Sequence, residues 1–284
     1  MGFAKISVFG LFLLGYSAAA LSAESEFGSS DNLIPHAATV NGMTGLFFTN
    51  SAFSLAKGKY EIGTGVLMER SGLPAYSMLQ IPFNVTYGLS DKVEIGINGK
   101  STYLDLVGQG LGDLETNVKW RIAEPKKTSD GSYTPAVAFG LGLILPTAAT
   151  GLGEVSEWGA RLMFLLSSEG TLPDGRYIGT YLDAQAITID AGTGSPFEDN
   201  YWALNLGLLL PYRDEKNFQI VSEVNLVRAK KTISPGSSDF NGLTLGLRYA
   251  SDTLRLSSGV QFVNKLDNSL KDTSRVIATA SIEF

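Results

Sequence analysis

The eleven residues Ser274-Arg-Val-Ile-Ala-Thr-Ala-Ser-Ile-Glu-Phe284 alternate, with Val276, Ala278, Ala280, Ile282 and Phe284 on one side and more polar residues on the other. The sequence stops on the aromatic. A strand with one wholly apolar face, ending flush on a C-terminal aromatic, is what the closing strand of a bacterial outer-membrane β-barrel looks like. The stretch therefore predicts a barrel for the chain that precedes it.

The clearest support lies between Asp113 and Ile122. Leu114, Thr116, Val118, Trp120 and Ile122 take one face; Asp113, Glu115, Asn117, Lys119 and Arg121 take the other. Repeating the period-two test from Lys59 onward predicts strands at 59–69, 76–88, 92–103, 112–122, 135–146, 157–167, 177–190, 200–212, 217–229, 241–250, 254–264 and 274–284. Short polar turns such as Gly88-Leu-Ser-Asp91, Arg213-Asp-Glu-Lys216 and Ser251-Asp-Thr253 alternate with longer connections, for example 191–199 and 229–240. Short turns at one rim and long loops at the other are expected of outer-membrane barrels, with the short side in the periplasm. The connections 123–134 and 168–176 are longer than that rule wants. Tyr60, Trp120, Trp158, Trp202, Tyr212, Phe218 and Phe284 fall near strand ends on the apolar face, as an interfacial aromatic girdle requires. The reading is an all-β, transmembrane, antiparallel up-and-down barrel of twelve strands with both barrel ends periplasmic.

The other end of the chain fits an export route. Lys5, the apolar run Ile6 to Leu14 and small residues through Ala23 have the layout of a secretory signal peptide, and the run is shorter than the roughly 20 residues of a spanning helix. The division expected is 1–23 signal peptide, 24–58 an N-terminal periplasmic or lumen-inserted segment, and 59–284 the outer-membrane barrel of a Gram-negative cell. A disordered leader is the competing reading of 24–58. Cysteine is absent, which removes disulfides and thiolate metal sites, and a net charge of −6 argues against a nucleic-acid partner. The partners implied are outer-membrane lipid, the barrel-insertion machinery and a small-molecule solute.

Chemistry that needs histidine has one candidate only, His36, outside every predicted strand. It reads as an ordinary polar residue, so no catalytic residue, metal site or cofactor is expected and an enzyme is the weakest class. The pairs Asp113 with Glu115 and Glu154 with Glu157 read as a structural charge ladder and a solvated loop. Gly108-Gln-Gly110-Leu-Gly112 reads as a turn, since no helix follows to make a phosphate cradle, and Lys126-Lys127 and Lys230-Lys231 read as solvated turns. The functional surface is then the inward face. By parity it holds Glu94, Lys100, Asp113, Glu115, Lys119, Arg121, Arg161, Asp183, Glu223 and Arg248 as lumen-lining candidates, along with Gln185, Asn205, Asn225 and Gln261, while Phe284 anchors the barrel end. Lys119 and Arg121, about 6.5–7 Å apart along one strand, are expected to act on one solute. Such a lumen suits passage of a small solute and not a wide pore.

Gly110-Leu-Gly-Asp-Leu-Glu-Thr-Asn-Val-Lys-Trp-Arg-Ile122, the Leu-Pro-Thr of Leu145 to Thr147 and the run Thr44 to Gly58 into the first strand carry a further signal. With them the chain from Thr44 to Phe284 resembles the outer-membrane proteins grouped with the MetA pathway of phenol degradation. The resemblance implies a transporter-like barrel moving small, often aromatic or hydrophobic, compounds, and supplies no functional residues. The expected function is an outer-membrane channel or transporter for small molecules. The alternative is a structural or surface-interaction barrel with a closed lumen.

Overall fold

A computed structural model describes residues 34–72, 75–104, 108–126, 134–149, 158–172, 176–189, 200–212, 215–229, 239–266 and 273–284. The expected signal peptide, the Glu154 and Glu157 pair, and Lys230-Lys231 lie outside the described residues, as does Lys127 of the other lysine pair.

Two short strands, β1 (Ala37–Ala38) and β2 (Thr44–Gly45), pair with each other. The large sheet follows: β3 (Tyr60–Gly72), β4 (Ala75–Ser90), β5 (Val93–Leu104), β6 (Gly108–Leu111), β7 (Leu114–Ala123), β8 (Ala136–Leu145), β9 (Gly159–Thr171) and β10 (Tyr177–Ile189). It continues through β11 (Asn200–Tyr212), β12 (Glu215–Ala229), β13 (Phe240–Ala250), β14 (Leu254–Lys265) and β15 (Thr273–Glu283). Each strand pairs antiparallel with its neighbour in sequence, and β15 returns to β3 with Ile282 opposite Ile62. Because β6 and β7 lie one after the other along β5, they form one interrupted strand, and the sheet closes as a twelve-stranded barrel.

Alternation decides which side of the wall each residue takes. Leu141 and Leu247 stand outward in mid-strand, 62% and 64% exposed, beside Val118, Leu162 and Ile220. An apolar belt of this extent on a soluble protein would drive association, whereas hydrocarbon accommodates it. Leu206 and Val260 share that outer face, half-buried by their neighbours. At the rim where β15 ends, Phe284 stacks on Tyr60 with ring centroids 5.5 Å apart, and its N–H donates to the Tyr60 carbonyl at 2.8 Å.

Several details depart from the pattern-based reading. Gly108 to Leu111, expected as a turn, is strand β6, because Ser101 to Leu104 of β5 extend far enough to pair with it. Strand β9 runs on to Thr171, so the first four residues of the long connection expected at 168–176 are strand and Glu169 points inward. In β4, Pro82 has no N–H for the ladder, and the pairing with β3 is interrupted between Thr64 and Leu67. The Thr64 hydroxyl donates to the Pro82 carbonyl at 3.0 Å across that gap.

Candidate functional site

Residues 34–56 lie inside the barrel, nearly all of them buried. This plug has little regular structure of its own, so its backbone groups need partners elsewhere. Carboxylates on the wall supply them. Glu61 accepts from the Ala38 N–H at 2.9 Å, and Asp183 from the Asn50 N–H at 3.0 Å and side-chain amide at 2.9 Å. Glu223 accepts from the N–H groups of Phe48 and Thr49 at 3.0 and 2.8 Å. Glu94 takes the N–H groups of Thr44 and Leu55 at 2.9 and 2.7 Å. Glu169 accepts from the Ile34 N–H at 3.2 Å, the Tyr181 hydroxyl at 2.8 Å and the His36 ring.

Donors on the wall complete the set. Arg248 reaches the Gly45 carbonyl at 3.0 Å, Arg255 the His36 carbonyl at 2.9 Å and Gln219 the Pro35 carbonyl at 3.0 Å. Apolar knobs of the plug, Leu46, Phe47 and Phe53, fill the space between. Wall glycines make room: a Cβ at Gly246 would stand 2.5 Å from the Phe47 ring, and one at Gly96 would stand 2.2 Å from the Gly42 carbonyl oxygen.

Above the plug, toward the rim opposite Phe284, lies a cavity of about 380 Å³, with Val40, Asn41 and Phe48 of the plug against it. A belt of hydrogen bonds runs round its wall. Glu115 holds Arg161 through two bonds of 2.6 and 3.1 Å, and Arg161 donates to Gln185. Gln185 donates to Asp183 at 2.6 Å, and Asn205 reaches the same carboxylate at 3.4 Å. Asn225 donates to Asn205 at 3.0 Å, Gln261 to Asn225 at 2.9 Å, and Arg275 to Gln261 at 3.1 Å and to Glu69 at 2.5 Å. Room for the Arg161–Glu115 pair comes from Gly142 on the intervening strand, where a Cβ would stand 2.9 Å from the Glu115 carboxylate. Asp183 belongs to both systems, since it bonds the plug through Asn50 and the belt through Gln185 and Asn205.

All ten candidate residues have inward positions, nine of them spread over two levels and Arg121 beside the β4–β5 turn. Lys100, Asp113, Glu115 and Arg161 line the cavity, while Glu94, Lys119, Glu223 and Arg248 are sealed against the plug and Asp183 joins the levels. The expected ladder along one strand face does not form. Glu115 pairs across the sheet with Arg161, and Lys119, fully buried, holds Glu94 at 3.0 Å. Arg121 donates to the Asp91 carbonyl at 2.6 Å and stands 3.9 Å from Glu124. Lys119 and Arg121 therefore do not meet one solute, because neither lines the cavity and Lys119 is spent on Glu94. His36, read as an ordinary polar residue, is enclosed by Glu169, Phe53 and Tyr181. Glu169 carried no usable signal, since its segment lacked enough alternation to read as strand.

The barrel resembles solved structures. An outer membrane channel from Pseudomonas putida F1 superposes with a TM-score of 0.58 at 11% identity, over 82% of this chain and 98% of that one. The NanC porin gives 0.53 at 10% identity over 78% and 98% of the two chains, and the KdgM porin 0.52 at 10% over 79% and 99%. The fold is that of outer-membrane channels and porins. No family model matches the chain, and neither does any curated protein.

Proposed function

We propose that the protein is an outer-membrane channel for passive passage of small molecules, aromatic or hydrophobic ones included, gated by the plug of residues 34–56. The observation that carries the proposal is the cavity, a walled and mixed-polarity chamber held above a plug that ends in wall hydrogen bonds and not in a strand ladder. Such contacts can be exchanged for water when the segment shifts, whereas a lumen filled by wall side chains has no equivalent way to open. In this reading the rim bearing Phe284 faces the periplasm, residues 1–23 are removed on export, and the insertion machinery reads the terminal aromatic. The resemblance to the proteins grouped with the MetA pathway of phenol degradation points to the same class of cargo.

The plug itself favours a second reading, a barrel whose lumen stays closed and whose exposed loops do the work. Purified full-length protein in planar bilayers and in solute-loaded liposomes separates the two. Discrete conductance steps or solute flux support the channel. Protein that is folded and inserted yet passes neither ions nor solutes rejects the channel and leaves the closed barrel.

A further inference from the structure

We propose that the cavity above the plug selects small neutral solutes that carry hydroxyl groups on one edge and an apolar face on the other. The proposal rests on the channel reading of the same lumen and names its cargo. It comes from what the belt leaves unused.

A carboxamide offers two N–H donors and two acceptor lone pairs. In the belt Gln185, Asn205 and Gln261 each donate one hydrogen and accept one, so each keeps one N–H and one lone pair. All three line the cavity. A hydroxyl group both donates and accepts, and so matches such a pair at a single contact. Carboxylates only accept and ammonium groups only donate, which leaves half of each amide unmet.

The charges of the belt do not change that preference. Arg161 is already gripped by both oxygens of Glu115, and Arg275 is bonded to Glu69, which Lys265 also approaches at 3.5 Å. To bind at these pairs an anionic solute must displace a carboxylate from an arginine, and a cationic one an arginine from a carboxylate; Lys100 and Asp113, which also line the cavity, bring one charge of each sign and favour neither. Charge-assisted contacts of this kind, the Arg161 pair bidentate, are among the stronger hydrogen-bonded contacts in proteins. A neutral solute leaves both intact.

The opposite wall supplies the apolar face. Leu67 of β3 with Met78 and Pro82 of β4, the latter two flanking Gln80, line the cavity across the ring from Gln185 of β10 and Asn205 of β11. Phe48 of the plug adds an aromatic ring beneath. The volume of about 380 Å³ lies at the lower end of the roughly 300–1,000 Å³ usual for small-molecule pockets.

The test uses three probes that share a nitrophenyl group: 4-nitrophenyl β-glucoside, 4-nitrobenzoate and 4-nitrobenzyltrimethylammonium. Equilibrium binding to the full-length protein in detergent micelles is measured by calorimetry, with empty micelles subtracted. The glucoside is expected to bind about tenfold or more tightly than either charged probe, and Gln185→Leu to weaken it about tenfold while changing the benzoate little. The ranking in the unaltered protein is decisive even if the variant folds poorly. Equal binding of the three, a charged probe in first place, or no binding at all overturns the proposal. Liposome flux measured in parallel separates the two readings: a glucoside that binds but does not cross sinks the channel and leaves the site, and flux of all three without preferential binding does the reverse.

Discussion

Glu94 accepts from the N–H groups of Thr44 and Leu55 and from the Thr44 hydroxyl, and pairs as an ion with the Lys119 ammonium 3.0 Å away, so one carboxylate joins two points of the plug to the wall. Removing it strands a buried ammonium and two buried N–H groups, and losing one partner of a buried ion pair costs about 3–5 kcal/mol. Glu94→Ala is expected to lower unfolding stability in urea by that amount, while Lys92→Ala, which breaks an exposed pair with Glu124, changes it by less than about 1 kcal/mol. Equal midpoints for the two variants would show that Glu94 holds nothing in place. That Glu94 faces inward is legible from parity, because Val93 and Ile95 flank it on the outer face. Its partners are not legible. Those in the plug lie 39 to 50 residues back, in a segment whose own pattern is silent.

At the level of the strand, the period-two pattern locates every stave, because one face must meet lipid and the other a polar lumen. Its errors fall where another constraint intervenes. Strand β6 hides in Gly108-Gln-Gly110, whose glycines have no side chains with which to show a face, and Leu111 is its one apolar side chain. Leu206 of β11 pairs with Leu182 on one side and Val224 on the other, in mid-wall. Leu206→Arg is expected to cost about 2–4 kcal/mol if the site lies near the bilayer midplane, read as a lower midpoint of unfolding from lipid vesicles. Asn205→Ser, one residue along but inside the lumen, should show a smaller loss. Were the arginine tolerated better than the serine, the assignment of faces in β11 would be wrong. The seam makes a second case: deleting Phe284 removes its stacking on Tyr60 and the N–H bond that closes β15 on β3. Folded protein in outer-membrane fractions should fall well below that of a Ser251→Gly variant, whose change lies in a turn.

Across the whole molecule the barrel is legible and the arrangement of its contents, beyond a lumen-inserted segment as one of the readings of 24–58, is not, for one physical reason. A wall strand advertises itself because its hydrogen bonds run to neighbouring strands and force its side chains to alternate. The plug sends its hydrogen bonds to carboxylates, amides and arginines of the wall, so its sequence obeys no period, and only its density of small and apolar residues distinguishes Ala37 to Leu55 from a loop. The same arrangement makes the plug testable as a gate. The chain has no cysteine, so any disulfide introduced is the only one. The Ala52 N–H donates to the Ser167 hydroxyl of β9 at 2.8 Å, close enough for paired cysteines at the two positions to approach the 4.4–6.8 Å Cα separation of a disulfide. With Ala52→Cys and Ser167→Cys combined, oxidation should tether the plug without altering the wall. If passage requires the plug to move, the oxidised protein loses conductance and solute flux and regains both on reduction, while each single-cysteine variant ignores the redox state. Conductance that persists through oxidation, with the cross-link verified by mass spectrometry, would mean that solutes pass beside a stationary plug.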